Sequence, residues 1–434
     1  MLAKVASVSA RTIKKPSPFR VILTVSPAVN GITQWDLLSN GDLILDGGTA
    51  TSYTITTSGV NPGNILMKAW GQGTCQATGG YSTGNLSLSS AINLAVRLNA
   101  GAGSGGTQYG SGASPNGGGY AGVFNSTVSQ ANAFLIAGGA GGSGSNTGGC
   151  NSSGGSGGGS SGSSGTSASN SQIQSTGGGS GSQSSAGSGG YALETVYTTG
   201  TVQKDGGFYH VRASGVDTTA NSQGPWTSTP TQGSTTSQPS DGYTYTFTTP
   251  YNDASYSISA SNASGDQNYS ANGTYYPNGF YYTISNQSST GFRVNWYSSA
   301  DNSAVFVRYH SISCSGQGTT TSTNDISASG GSALSGGTGG RGSIGNGGGN
   351  ASSGGGGGGG YYGGGGGGGG NDYNSATRDS SGGGGGSGYV SGSLTSASTS
   401  SFANGSDPNR GNAGSASGLN NSYYNSRIVI QYSP

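Results

Sequence analysis

Between Gly354 and Gly370 the chain reads GGGGGGGYYGGGGGGGG, two glycine runs separated by Tyr361 and Tyr362. Glycine loses more backbone freedom on ordering than any other residue. A run this long is ordinarily a flexible linker. It has no side chains to bury, so only main-chain hydrogen bonding can hold it in one conformation. One arrangement supplies enough of it. Extended, left-handed helices of three residues per turn pack side by side, and each bonds to its neighbours instead of to itself. Collagen obeys the same steric rule, since only glycine fits where backbones approach closely. The glycine-rich parts of the chain are therefore expected to form a packed polyglycine II bundle. At ~3.1 Å per residue, one run of seven spans roughly 22 Å.

The remaining composition suits such a body. Glycine is 92 of 434 residues, about a fifth, while apolar residues are 30% and charged residues 7%. An ordinary globular chain has roughly 45–50% and ~25%. Low hydrophobicity with high net charge would indicate disorder, but the net charge is +1. The balance is Ser, Thr, Asn and Tyr, with 25 Tyr against 9 Phe, which makes a non-ionic, hydrogen-bonding surface. There is no basic face to neutralise phosphates, which argues against nucleic acid as a partner. No apolar stretch reaches the length of a membrane span, so the chain is not expected to be membrane-embedded.

Composition shifts divide the chain. Residues 1–30 form a basic arm carrying Lys4, Arg11, Lys14, Lys15 and Arg20 with no acid. It is read as a docking arm leading into a first strand rather than as a signal peptide. Residues 31–100 read as a β-domain. WDLLSNGDLIL from Trp35 suggests a hairpin about Asn40-Gly41. TSYTITT from Thr51 and the stretches from Leu86 and Ile92 alternate as strands do, and NILMKAW from Asn64 reads as a buried strand. Residues 101–190 are a first glycine block with one apolar island, YAGVF from Tyr120 and AFLIA from Ala133, read as a hairpin at the bundle's base. Residues 191–316 lose glycine and gain aromatic, alternating segments, the pattern of an inserted β-sandwich. Residues 317–425 are the second glycine block. RIVIQY from Arg427 is a strand expected to tie residues 426–434 back into the β-domain. The fold class is thus mainly β with a polyglycine II helix bundle, a β-sandwich base, an inserted β-sandwich and almost no α-helix.

Catalytic chemistry is not legible. His210 and His310 sit in strand-like contexts, and no pair of the fourteen carboxylates has the setting of a glycosidase acid and nucleophile. G-x-G-x-x-G matches arise by chance in such a chain and lack a strand-to-helix context. No metal-ligand cluster and no cofactor motif is present. Cys75, Cys150 and Cys314 are widely spaced, so unpaired apolar residues are favoured over a single bridge. Tyr361, Tyr362 and Tyr373, beside polyglycine, are the foremost recognition candidates, with Tyr109 and Trp226. Aromatic rings with polar tips among Ser, Asn and Gly make the surface that antibody loops use. The competing reading is that these rings cap the bundle and shield its backbone.

NILMKAWGQG from Asn64, GGYSTG from Gly79, LAVRL from Leu94, GGGYAGVF from Gly117, AFLIAGGAGG from Ala133 and the closing RIVIQY resemble the glycine-rich domain of phage tail-fibre, tail-tip and other virion-surface proteins. The resemblance covers roughly residues 50–190 and 317–434. TGFRVNW from Thr290 is similar to β-sandwich repeats of phage tail fibres. What the resemblance implies is a non-enzymatic virion surface protein, a tail fibre or spike adhesin component. It would dock to other tail or capsid proteins through its arm and meet a host surface glycan or outer-membrane protein. It admits a homotrimer. The alternative is a structural decoration or scaffold protein of a capsid or tail.

Overall fold

The computed structural model describes residues 20–58, 63–106, 116–146, 149–169, 174–213, 216–217, 221–223, 231–232, 241–262, 280–298, 306–341, 353–370, 380–418 and 423–434. Among them the protein is mainly β, and the single helical element is a 3-10 turn, Gln130–Asn132. The chain divides into two compact units, Met1–Thr195 with Thr323–Pro434, and Val196–Ser322.

Among the described residues, the first unit holds two large antiparallel sheets, beside the two-stranded pairings Gly144–Asn146 with Gly149–Ser152 and Ala168–Ser169 with Gln174–Ser175. One runs, in spatial order, Ile32–Asp36, Ile22–Val29, Ser52–Ser58, Asn93–Ala100, Tyr120–Asn125, Ala133–Ala137 and Tyr389–Val390. The other runs Thr395–Ser400, Tyr81–Leu88, Gly63–Trp70, Arg427–Ser433 and Leu43–Asp46. Period-two alternation aims one face of each at a shared core. Leu23, Ile55, Leu94 and Val123 come from the first sheet, and Leu45, Ile65, Met67 and Ile430 from the second. Arg427–Ser433 is an interior strand, paired with Gly63–Trp70 on one side and Leu43–Asp46 on the other. The apolar island forms the hairpin expected of it, Tyr120–Asn125 against Ala133–Ala137. Residues 1–19 of the basic arm lie outside the described residues, and its last part is the strand Ile22–Val29.

Asn40-Gly41 does not join a hairpin. Ile32–Asp36 pairs with Ile22–Val29 in one sheet, while Leu43–Asp46 pairs with Arg427–Ser433 in the other. The turn carries the chain between layers, and Asp36 fixes it. Its carboxylate accepts from Leu38 N (3.0 Å), Ser39 Oγ (3.2 Å) and Arg20 Nε (2.7 Å), while Asn40 Oδ1 accepts from Asp36 N (2.9 Å). Two strands in the second glycine block, Tyr389–Val390 and Thr395–Ser400, carry no apolar alternation. They add to sheet edges through main-chain pairing.

The glycine blocks form extended threads bonded side to side. Residues 363–369 illustrate the rule. Gly363, Gly366 and Gly369 donate to Ser332, Ser329 and Ile326. Gly364 and Gly367 donate to Gly358 and Gly355, and Gly365 and Gly368 donate to Gly179 and Thr176. Every third amide therefore faces the same neighbour. The carbonyls of the same run accept from three further threads, through Gly187 and Gly190, Gly337 and Gly340, and Gly384 and Ser381. The threads 353–360 and 380–388 are likewise each bonded to six neighbours, and the three inner threads bond to one another. Nine outer threads surround them: 101–106, 116–119, 138–143, 153–158, 161–167, 175–182, 185–192, 326–332 and 335–341.

Side-chain size follows from this geometry. A Cβ on Gly363 through Gly367 would meet a neighbouring carbonyl oxygen at 1.8–2.2 Å, so these inner positions admit only glycine. An outer thread has one free side, and its sequence shows it. In SGGTGGR from Ser335, the non-glycine positions recur every third residue, with Thr338 and Arg341 exposed.

Cys75 and Cys150 form a disulfide with their Cα atoms 6.5 Å apart, contrary to the expectation of unpaired cysteines, while Cys314 is free and buried. The 75-residue separation hides the pairing, because the array creates the proximity. Thr74 Oγ1 donates to the Gly141 carbonyl (2.8 Å), laying residues 71–80 beside the thread 138–143. Gln76 Nε2 then reaches the Cys150 carbonyl (2.8 Å).

The second unit has its own pair of sheets. Leu193–Ala213, Phe306–Asp325 and Ser257–Asn262 lie side by side in one, and Asp241–Thr246, Gly291–Ser298 and Phe280–Ser288 in the other. Tyr245 and Phe292 from the second sheet, Ile312 and Cys314 from the first, and Phe247, Tyr251 and Tyr256 close one aromatic core.

Candidate functional site

Tyr361 and Tyr362 sit at the turn joining the inner threads 353–360 and 363–369, at the sheet end of the array. Tyr361 stacks on Tyr389 (centroids 4.1 Å apart, planes 10° apart) and meets Tyr362 edge-on (5.6 Å). Its ring packs with Leu334 and Val128 against Tyr120, Phe124 and Ile136, on the face of the seven-stranded sheet opposite the main core. Its amide donates to the Ser387 carbonyl (2.9 Å), and Gln130 Nε2 donates to its carbonyl. Burial, and then the neighbouring Tyr389 and Tyr362, push its hydroxyl pKa up. Both rings are half-buried and couple the array to the sheet. Sequence reading missed Tyr389 and Gln130 as their partners, since neither is near in the chain. Tyr373, Tyr109 and Trp226 lie outside the described residues.

The opposite end of the array is defined by main-chain bonds. Gly106 bonds Gly354, Gly354 bonds Gly340, Gly369 bonds Ile326, and Ile326 bonds Ala192. Gly368 bonds Thr176, and Gly355 bonds Ser381. These residues share one level, at the end of the threads away from the two large sheets of the first unit. The turns at the sheet end are tight, as at Ser182–Ser185, where Ser182 N donates to Ser185 O (2.8 Å).

In the second unit Lys204 is buried with its Nζ 4.3 Å from the Phe247 ring centre and 4.2 Å from that of Tyr251, and it donates to the Thr249 carbonyl. The ammonium is held by cation–π attraction and one carbonyl. Burial lowers its pKa. Tyr251 Oη donates to the Cys314 carbonyl (2.8 Å) and Tyr256 Oη to that of Gly291 (2.8 Å). The lysine fills its own aromatic cage, so this cluster is a satisfied core and not a ligand pocket. Its sequence signal was the one lysine in an aromatic-rich insert. His210 and His310 lie on the adjacent strands Leu193–Ala213 and Phe306–Asp325.

Burial pushes the Cys314 thiol and the Tyr251 hydroxyl up to about 12, from 9.0 and 10.0. The folded unit thus keeps these protons where the unfolded chain has lost them. The stabilisation is complete below pH 9 and is lost as pH climbs towards about 12. Lys204 acts with the opposite sign, since lowering its pKa makes stability rise with pH below 10.5. Urea midpoints of this unit across that range are expected to fall with pH, and Cys314→Ala to flatten the onset of the fall. An unchanged slope in C314A would show that the thiol is not the titrating group.

Among the described residues, no group of three or more His, Cys, Asp or Glu could hold a metal ion, and no helix is long and apolar enough to cross a membrane. No protein-family model, no curated protein and no solved structure matches the chain.

Proposed function

We propose that the chain is a non-enzymatic virion surface protein, a bacteriophage tail fibre or spike adhesin component. Its threads are a polyglycine II bundle, and its second unit is a β-sandwich inserted into that bundle. The observation that carries this reading is the six-neighbour bonding of the three inner glycine threads. It makes a stiff body out of residues without side chains, which is a support for displaying surface and not a setting for chemistry. The three-residue repeat of those bonds matches the polyglycine II period. The non-ionic Ser, Thr and Asn exterior suits contact with glycans or outer-membrane loops. The Cys75–Cys150 bridge belongs to oxidising surroundings. In this reading the arm at residues 1–30 docks to the particle, and the distal bundle or the inserted unit meets the host envelope.

A second reading, a structural decoration or scaffold protein, is favoured by one observation. Tyr361, the foremost recognition candidate, stacks on Tyr389 against a sheet. Purified protein added to host cells separates the two. An adhesin binds the envelope and lowers particle adsorption at least tenfold at saturation. Absence of binding to every envelope fraction ends the adhesin reading and leaves the structural one.

The geometry also offers a way to learn which unit binds. Ile326 N donates to the Ala192 carbonyl (3.1 Å), so the chain leaves and re-enters the first unit at adjacent points. Replacing residues 193–325 with a short Gly-Ser linker is expected to leave the first unit's unfolding free energy within about 1 kcal/mol of its original value. Binding retained by this variant assigns contact to the array, and binding lost assigns it to the insert.

A further inference from the structure

Residues 353–434 complete the first unit in a particular way. They supply all three inner threads, the edge strands Tyr389–Val390 and Thr395–Ser400, and the interior strand Arg427–Ser433. The thread 353–360 has two inner neighbours within this segment and four outside it: 101–106, 116–119, 138–143 and 335–341. The same division, two within and four outside, holds for 363–369 and for 380–388. The segment cannot satisfy its own amides, and the rest of the unit cannot satisfy those that point inward. Without Arg427–Ser433, Gly63–Trp70 and Leu43–Asp46 have no strand between them. One chain crossing, after Arg341 and before Ser353, connects the segment to everything it completes.

We propose that this C-terminal segment is an exchangeable insert, and that a second copy of this chain can donate it. The glycine threads of the segment meet the rest of the unit through main-chain bonds, such as Gly365 N to Gly179 O (2.9 Å) and Gly359 N to Gly118 O (3.0 Å), and these are identical whichever copy supplies the thread. The side-chain locks reach across the same boundary. Arg427 Nη2 meets Asp46 Oδ2 at 2.7 Å, and Lys68 Nζ meets Asp407 Oδ2 at 2.8 Å. Where copies are crowded, as in an assembling particle, an incomplete body and a free segment from different chains are full complements. Exchange of this kind links copies without any new interface. The proposal rests on the bonding pattern alone and stands whether or not the protein is an adhesin.

The test uses full-length chains. One copy carries an N-terminal tag, another a different C-terminal tag, and both carry a specific protease site inserted after Asn346. The two are co-expressed, purified, cleaved, and captured on the N-terminal tag under native conditions. Exchange predicts that the C-terminal-tagged fragment is recovered at least tenfold above the level from separately expressed, mixed and cleaved proteins. Recovery at that background level overturns the proposal. Retention of each copy's own fragment after cleavage, read by mass in the same capture, shows that the cut protein stayed folded. Loss of both copies' fragments overturns the proposal, since the segment would then not be held by non-covalent bonding.

Discussion

Gly365→Ala is expected to destabilise the first unit by about 4 kcal/mol or more, in the exceptional range for a single substitution. The added methyl would sit 1.8 Å from the Ser188 carbonyl oxygen and 2.4 Å from its carbon. Those atoms belong to a neighbouring main chain that is itself bonded, so no rotamer change relieves the clash. Either the thread 363–369 or the thread 185–192 must move, and movement breaks a row of bonds. Overpacking a side-chain core typically costs ~1–3 kcal/mol because side chains yield, and here nothing flexible lies in the way. Gly392→Ala is the control. A methyl there meets nothing within 4 Å, and the backbone is not in the left-handed region, so a change within about 0.5 kcal/mol is expected. Urea midpoints of the two variants read the difference. Equal midpoints would mean that the inner threads are not packed as described.

Truncation after Ser426 is expected to abolish cooperative unfolding of the first unit. Ile428, Val429 and Ile430 are fully buried, each with 0% exposure. Burial of one such side chain is worth roughly 1.5–3 kcal/mol, so three account for about 5–9 kcal/mol. Typical domain stability is only ~5–15 kcal/mol. The truncation also removes the ladders to two strands and the Arg427–Asp46 ion pair. Ile430→Ala, a milder change, is expected to cost ~2–5 kcal/mol. Near-ultraviolet circular dichroism during urea unfolding checks both. A truncated chain that keeps the full-length transition would show the strand to be dispensable.

The β character was legible where alternation is strong. NILMKAW and NLAVRL announced strands because Ile65, Met67, Leu94 and Val96 must share a buried face. Asn40-Gly41 misled because a turn signal does not say which sheet the next strand joins, and that was decided by the bonds to Asp36. Thr395–Ser400 was hidden because an edge strand held by main-chain pairing needs no apolar pattern. Cys75 and Cys150 were hidden because their meeting depends on how threads stack, which no local window records. Tyr361 was legible as a special position but not as a packed one. Its partner Tyr389 is 28 positions away (389 minus 361), on the strand that follows the second thread after it.

The inner threads have a thermodynamic consequence. Unfolding exposes apolar surface in most proteins, which raises the heat capacity, whereas exposing peptide groups lowers it. Melting residues 354–360 and 363–370 exposes peptide almost alone. This portion should absorb heat on melting yet leave no upward step in the calorimetric baseline. Its stability curve should therefore be nearly straight in temperature. A body held this way gains strength on cooling, where oil-like cores begin to weaken, and in the cold the threads should outlast the sheets they stand on.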